Sequence, residues 1–205
     1  MFCRIRRICE DEREINELLD NSLLMKPQRF METHFVLSTL GEDRPGIVSE
    51  LSRMVFDCGG NIKDSRMTAL GSEFAIIMLI SGNWSAIAKI ENALPRIADK
   101  LKLSIQSKRT TPRENTQNVI PYGAEVVAPD HPGIVKDVAN FFSQRGIGIE
   151  DLYTISYPAP HTSTPMSSLH ITVGIPGDMS IAALRGDFMD FCDDLNLDAM
   201  LAPVK

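Results

Sequence analysis

The chain repeats itself, and that limits its fold more than any other feature. EDRPGIV at 42–48 returns as PDHPGIV at 129–135, an offset of 87 (130 − 43). At that fixed offset Asp43, Pro45, Gly46, Ile47 and Val48 match Asp130, Pro132, Gly133, Ile134 and Val135. Further on, Gly59, Ile62 and Asp64 match Gly146, Ile149 and Asp151. These are eight identities over the 22 positions 43–64, without a gap. Self-similarity of this kind means one structural unit used twice. The 205 residues suffice for two small units, each with its own core.

Both copies show the same order of elements. In the first, THFVLSTL (33–40) has strand character. GEDRPG forms a turn in which Pro45 presets φ and Gly46 relieves crowding. Ile47, Val48, Leu51, Met54, Val55 and Cys58 recur at helical spacing, and Gly59-Gly60 stops that helix. NIKDSRMTAL and EFAIIMLIS read as a hairpin about Gly71-Ser72. Trp84, Ile87, Ile90, Leu94, Ile97 and Leu101 mark the apolar face of a second helix, which Pro95 is expected to kink or break. LSIQSKRT (103–110) closes the unit.

The second copy runs through the strand GAEVVAP, a helix carrying Ile134, Val135, Val138, Phe141 and Phe142, and the strand IGIEDLYTIS. The alternating LHITVGI follows, then a helix on Ile181, Leu184, Phe188, Phe191 and Leu195. PAPHTSTPMS (158–167) reads as a long mobile loop, and the polar TPRENTQN (111–118) as the linker. The unit is therefore βαββαβ. The fold class is α+β: two ferredoxin-like units, each an antiparallel sheet with its helices on one face. The expected organisation is an extension over 1–31, a first domain over 32–110, the linker 111–118 and a second domain over 119–205.

Charge and composition remove several functions. A net charge of −6 argues against direct nucleic-acid binding, which needs a concentrated basic patch. A βαββαβ sheet is also the frame of an RNA-recognition module, yet EFAIIMLI offers one aromatic and no adjacent basic residue. No apolar run approaches about 18 residues, so no membrane span is expected. The N-terminus lacks the apolar core of a secretory signal. Cys3, Cys9, Cys58 and Cys192 form no CxxC pair and no metal-ligand spacing with histidine. They fit a reduced, cytoplasmic protein in which Cys58 and Cys192 pack in cores. None of His34, His131, His161 and His170 has a catalytic spacing, and no nucleophile, base and orienting group come together. No enzyme activity, cofactor or metal is expected.

The repeated turn is the candidate site. A Gly that opens a helix presents free backbone N–H groups and the positive end of the helix dipole, which suits a small carboxylate. Asp43 beside it offers an acceptor for an ammonium group, and the Asn61 amide both donates and accepts. A free amino acid carries both charges. The alternative is structural: Asp43 caps the helix and Pro45-Gly46 makes the turn. The second copy keeps Asp130, Pro132 and Gly133 but has Gly148 at the position of Asn61. The first copy is therefore expected to be the better site. Asp64 and Arg66 line either a ligand or an interface, or form a strand ion pair.

The DRPG turn and the GNI strand start look like tandem ACT domains, which are small-molecule sensing modules. CGGNIKDSRM, LGSEF, IMLISGNW and KRTT resemble the glycine cleavage system transcriptional repressor family, over about residues 33–205. The resemblance implies two ACT domains and a cytoplasmic regulator that contacts a DNA-binding activator, with glycine as the signal. The turn Asp43–Gly46 and Asn61 match the ligand-side motif of ACT modules, and the candidate ligand set is Asp43, Arg44, Pro45, Gly46 and Ile47 of the turn with Asn61, Ile62 and Asp64. Asp130, His131, Pro132, Gly133 and Ile134 form the weaker second-copy set. A detached ACT regulatory subunit of an amino-acid metabolic enzyme is the alternative. ACT units associate through exposed edges, so the chain either supplies both halves or forms a homodimer. Residues 1–30 have no counterpart in the resemblance, and Met25 and Met31 are alternative starts.

Overall fold

The computed structural model describes residues 32–112 and 118–204. The extension over 1–31 and most of the linker lie outside the described residues. The chain divides into two compact units, Met1–Arg113 and Glu114–Lys205.

The first unit contains β1 (Thr33–Glu42), α1 (Ile47–Asp57), β2 (Asn61–Leu70), β3 (Glu73–Gly82), α2 (Trp84–Leu101) and β4 (Ser104–Thr110). Its antiparallel sheet has the order β2-β3-β1-β4. Alternation decides which face is covered. Phe35 and Leu37 on β1 stand opposite Ile80 and Met78 on β3, and all four are buried. Ile47, Leu51 and Val55 of α1 and Ile87, Ile90 and Leu94 of α2 bury against that same face. Gly60 makes room for this packing. A Cβ there would lie 2.9 Å from Ile90 Cδ1 and 3.1 Å from Val55 Cγ1. Among the described residues no helix of the unit covers the other face of the sheet, which presents Val36, Ile77 and Leu79, with Ile77 49% exposed.

The second unit repeats the pattern with β5 (Val119–Pro129), α3 (Ile134–Gln144), β6 (Gly148–Pro158), β7 (Pro165–Pro176), α4 (Ile181–Asp194) and β8 (Asp198–Pro203). Its sheet order is β6-β7-β5-β8. Leu169, Ile171, Val173 and Ile175 all face the core, as their alternation requires. Phe141, Phe142 and Phe188 fill that core with ring centroids 5.2–5.3 Å apart. Two ferredoxin-like α+β units are thus present, each with its helices on one sheet face.

Three expectations need correction. Pro95 does not break α2, which runs on to Leu101. Proline removes one backbone donor, but Ile90, Leu94 and Ile97 pack on both sides of it and hold the helix together. Trp84 matches the apolar spacing yet is 66% exposed, because it is the first helical residue after the Asn83 cap. It lies under Arg109, whose guanidinium carbon is 5.8 Å from the ring. The loop expected over 158–167 shrinks to 159–164, because β6 and β7 pair out to Pro158 and Pro165. Both prolines occupy strand ends, where a missing donor costs least. Ala159 N donates to Thr164 O at 2.8 Å and Ser163 N to Ala159 O at 2.9 Å, closing a compact turn.

Candidate functional site

The four helices among the described residues begin in two different ways. Asn83 caps α2 by accepting from Ala86 N at 2.8 Å, and Ser180 caps α4 by accepting from Ala183 N at 3.4 Å. The other two, α1 and α3, begin at Gly46 and Gly133 with no side-chain cap. Both glycines are left-handed, at φ 98° and 111°. The uncapped starts are the two copies of the repeated turn. Asp43 and Asp130 are therefore not helix caps. In α1 the first intrahelical bond is Glu50 N to Gly46 O, at 2.9 Å. The N–H groups of Ile47, Val48 and Ser49 are left without an intrahelical acceptor, at the positive end of the dipole. Val48 and Val135 follow the turns at matching places, and each is 39% exposed beside its turn.

The aspartates have a different local role. Asp43 N donates to Ser72 O and Asp130 N to Pro165 O, each at 2.9 Å. Each turn is thereby fastened to the hairpin that follows it.

In the first unit the turn opens on a cavity of about 300 Å³. Arg44, Pro45, Gly46, Ile47 and Ser49 supply one side, with Glu50, Lys100 and Leu101 completing it. Arg44 donates to the carbonyl of Leu101, so the turn closes on the C-terminus of α2. Lys100 lies 2.8 Å from Glu50, and the hydrogen bond and charge of Lys100 hold that carboxyl below the usual glutamate range. The cavity combines free N–H groups, an ammonium and a carboxylate. That set can hold both ends of a zwitterion.

The structure separates the sequence-derived candidates into two groups. Asp43, Arg44, Pro45, Gly46 and Ile47 stand together at the turn. Asn61, Ile62 and Asp64 lie at the far end of β2: Asn61 pairs with Ser81, whereas Leu70 pairs with Glu73 beside the turn. Nine steps of about 3.3 Å put Asn61 roughly 30 Å from the turn within this unit. Ile62 packs against the core, and Asp64 follows a register shift in β2 and pairs with Arg66 at 2.7 Å. That pair is exposed on both sides and adds little stability. Sequence reading missed Ser49, Glu50, Lys100 and Leu101. Glu50 had left a trace, since the repeat places Asp137 opposite it; Lys100 and Leu101 left none.

The second turn differs. Asp130, His131, Pro132, Gly133 and Ile134 keep the same backbone course, with His131 Nδ1 3.2 Å from Pro132 O. A Cβ on Gly46 would meet nothing within 4 Å, whereas at Gly133 it would meet Asp137 Oδ2 at 3.3 Å. Asp137 pairs with its neighbour Lys136 at 3.0 Å. Its carboxylate stays over the helix start, while Glu50 in the first unit is drawn towards Lys100.

Among the described residues, no group of three or more His, Cys, Asp or Glu side chains is placed to hold a metal ion. None of the described helices is long and apolar enough to cross a membrane.

Two βαββαβ units, each opening its first helix with an uncapped Pro-Gly turn, define a tandem ACT-domain protein. Residues 33–108 match the family described as the ACT domain. The chain is 36% identical over 172 residues to the glycine cleavage system transcriptional repressor of Escherichia coli (strain K12), spanning 84% of this chain and 90% of that protein. The chain belongs to the glycine cleavage system transcriptional repressor family. A solved structure assigned to such a repressor superposes with a TM-score of 0.66 at 30% identity, covering 85% of this chain and 99% of that one. A Galdieria sulphuraria protein of unknown function superposes with a TM-score of 0.69 at 26% identity, over 85% and 99%. A regulatory role follows from the family.

Proposed function

We propose that this chain is a non-enzymatic regulator that senses a small amino acid at the first turn and acts through a protein partner. The uncapped start of α1 carries the proposal. Gly46 leaves three N–H groups free over a cavity that also holds Lys100 and Glu50. The ligand carboxylate sits on those N–H groups and Lys100, and its ammonium faces Glu50. Glycine is the favoured ligand, since the E. coli relative is named as a repressor of the glycine cleavage system. The partner is a DNA-binding transcription activator; the net charge of −6 supports contact with a protein rather than with DNA.

Calorimetric titration of glycine, with serine and alanine as controls, tests the sensor. Saturable glycine binding that is lost in Lys100→Gln and kept in Asn61→Ala supports the turn. The reverse pattern moves the ligand to the start of β2, and no binding of any of the three removes the sensor reading. Pull-down from a cell lysate separates the partners: a transcription factor supports the proposal, and recovery of a metabolic enzyme alone contradicts it.

A further inference from the structure

The helix-free face of the second sheet is not a copy of the first. At the centre of the first face Val36 on β1 stands between Leu79 on β3 and Lys108 on β4. The equivalent centre of the second face is Gly123 on β5, between Thr172 on β7 and Ala202 on β8. Hydrogen and methyl stand there in place of a branched residue and a long cation, in a hollow of about 260 Å³; the first face has one of about 270 Å³ beside Val36, lined instead by Asp64, Arg66, Ile77 and Leu79. A glycine inside a strand often marks a place that something approaches closely.

The rim of the hollow has changed as well. Where the first unit sets Arg66 opposite Ile77, the second sets Tyr153 opposite His170. Those two rings stack with centroids 4.5 Å apart and planes at 15°. Ser168 fixes the imidazole through Nε2 at 2.9 Å. Glu125 stands opposite both His170 and Met200, and Asp151 stands opposite Thr172. Neither lysine nor arginine lines the hollow, and among the described residues neither carboxylate is in a salt bridge. The hollow of the first face thus holds aliphatic side chains with the Asp64–Arg66 ion pair, whereas that of the second holds two acids outside any salt bridge among the described residues, an aromatic stack and a thioether around a glycine.

We propose that this hollow binds a small organic cation of the alkylguanidinium class. The charge lies between Glu125 and Asp151, and the alkyl part lies against Met200 and the Tyr153–His170 stack. Aromatic faces attract cations, and a planar guanidinium also stacks on them. The cavity has the size of a small molecule rather than of a peptide segment. This site is separate from the turn cavity and does not depend on the amino-acid reading.

The test is a proton–nitrogen NMR titration of the full chain with ethylguanidinium at low millimolar concentration, with the neutral isostere ethylurea as control. The expected result is saturable shifts of the Gly123 and Thr172 amides and the His170 ring, at least tenfold weaker with ethylurea. Gly123→Val, which installs the residue found at Val36, abolishes them while the remaining spectrum stays dispersed. Glu125→Gln weakens binding at least fivefold. Equal responses to the two probes, shifts that never saturate, or shifts that survive Gly123→Val overturn the proposal.

Discussion

Lys100, in the last turn of α2, reaches Glu50 in the first turn of α1 at 2.8 Å. The pair bridges the two helices at the mouth of the turn cavity, and it is partly exposed. Its contribution to stability is accordingly small. Lys100→Met is expected to leave the urea midpoint at neutral pH little changed. The same variant is expected to lose glycine affinity. A large stability loss would mean that the lysine is structural rather than part of a binding set.

Acid acts on the same pair. The folded carboxyl of Glu50 titrates below its ordinary value because Lys100 bonds and attracts its charged form. A depressed folded value stabilises the protein above the unfolded pKa, about 4.3. That contribution disappears as pH falls through the folded value. Lys100→Met should therefore narrow its stability gap to the wild type between pH 6 and pH 3, as read by urea midpoints.

Gly46 and Gly60 resist substitution for opposite reasons. At Gly46 there is space but φ is 98°, so Gly46→Ala carries backbone strain of about 1–2 kcal/mol. At Gly60 the backbone is ordinary but the core is full, so Gly60→Ala overpacks Ile90, Val55 and Ile80 and costs about 1–3 kcal/mol. Asn tolerates left-handed φ better than Ala does, so Gly46→Asn should recover part of the loss. No recovery is expected from Gly60→Ser. Paired denaturant curves for the four variants distinguish the two mechanisms.

Pro95 is exposed on α2 and leaves the Glu91 carbonyl without its helical donor. Pro95→Ala restores that donor. Stabilisation on the order of 1–3 kcal/mol is expected, read as a raised melting temperature. An unchanged or lowered value would show that the packing of α2 depends on the proline.

Cys192 is fully buried in the second core, and burial followed by the neighbouring Asp193 charge pushes its thiol up to about 11. The unfolded thiol titrates near 8.5. The folded state therefore keeps its proton where the unfolded state loses it, and stability falls as pH rises from about 8.5 towards 11. Peptide mapping after alkylation at pH 8 should find Cys192 unmodified in the native protein and modified in urea. Native labelling at the half-buried Cys58 but not at Cys192 agrees with this ordering.

Much of the architecture could be read from periodicity. The Gly71-Ser72 turn sits between Leu70 and Glu73, as the two flanking strand patterns require. The alternation in LHITVGI named four core residues of β7. Failures arose where local preference and tertiary packing disagree, as at Pro95, or where a matching period ran past the edge of the core, as at Trp84. The site was legible only along the chain. The turn Asp43–Ile47 is contiguous and announced itself by repeating, whereas Lys100 and Leu101 meet it only through the packing of α2 beside α1. Asn61 showed the reverse. Its chemistry suits a zwitterion, but an extended strand carries it to the opposite end of the sheet.

The bond from Asp43 N to Ser72 O, echoed by that from Asp130 N to Pro165 O, makes each turn a handle on a hairpin. The outer strand of that hairpin is one margin of its sheet, since among the described residues β2 and β6 each pair on one side alone. A displaced turn therefore pulls on that margin through this bond as well as through the ladder of the strand that precedes it. The duplicated motif thus ties one spot in each unit to a margin of its own sheet.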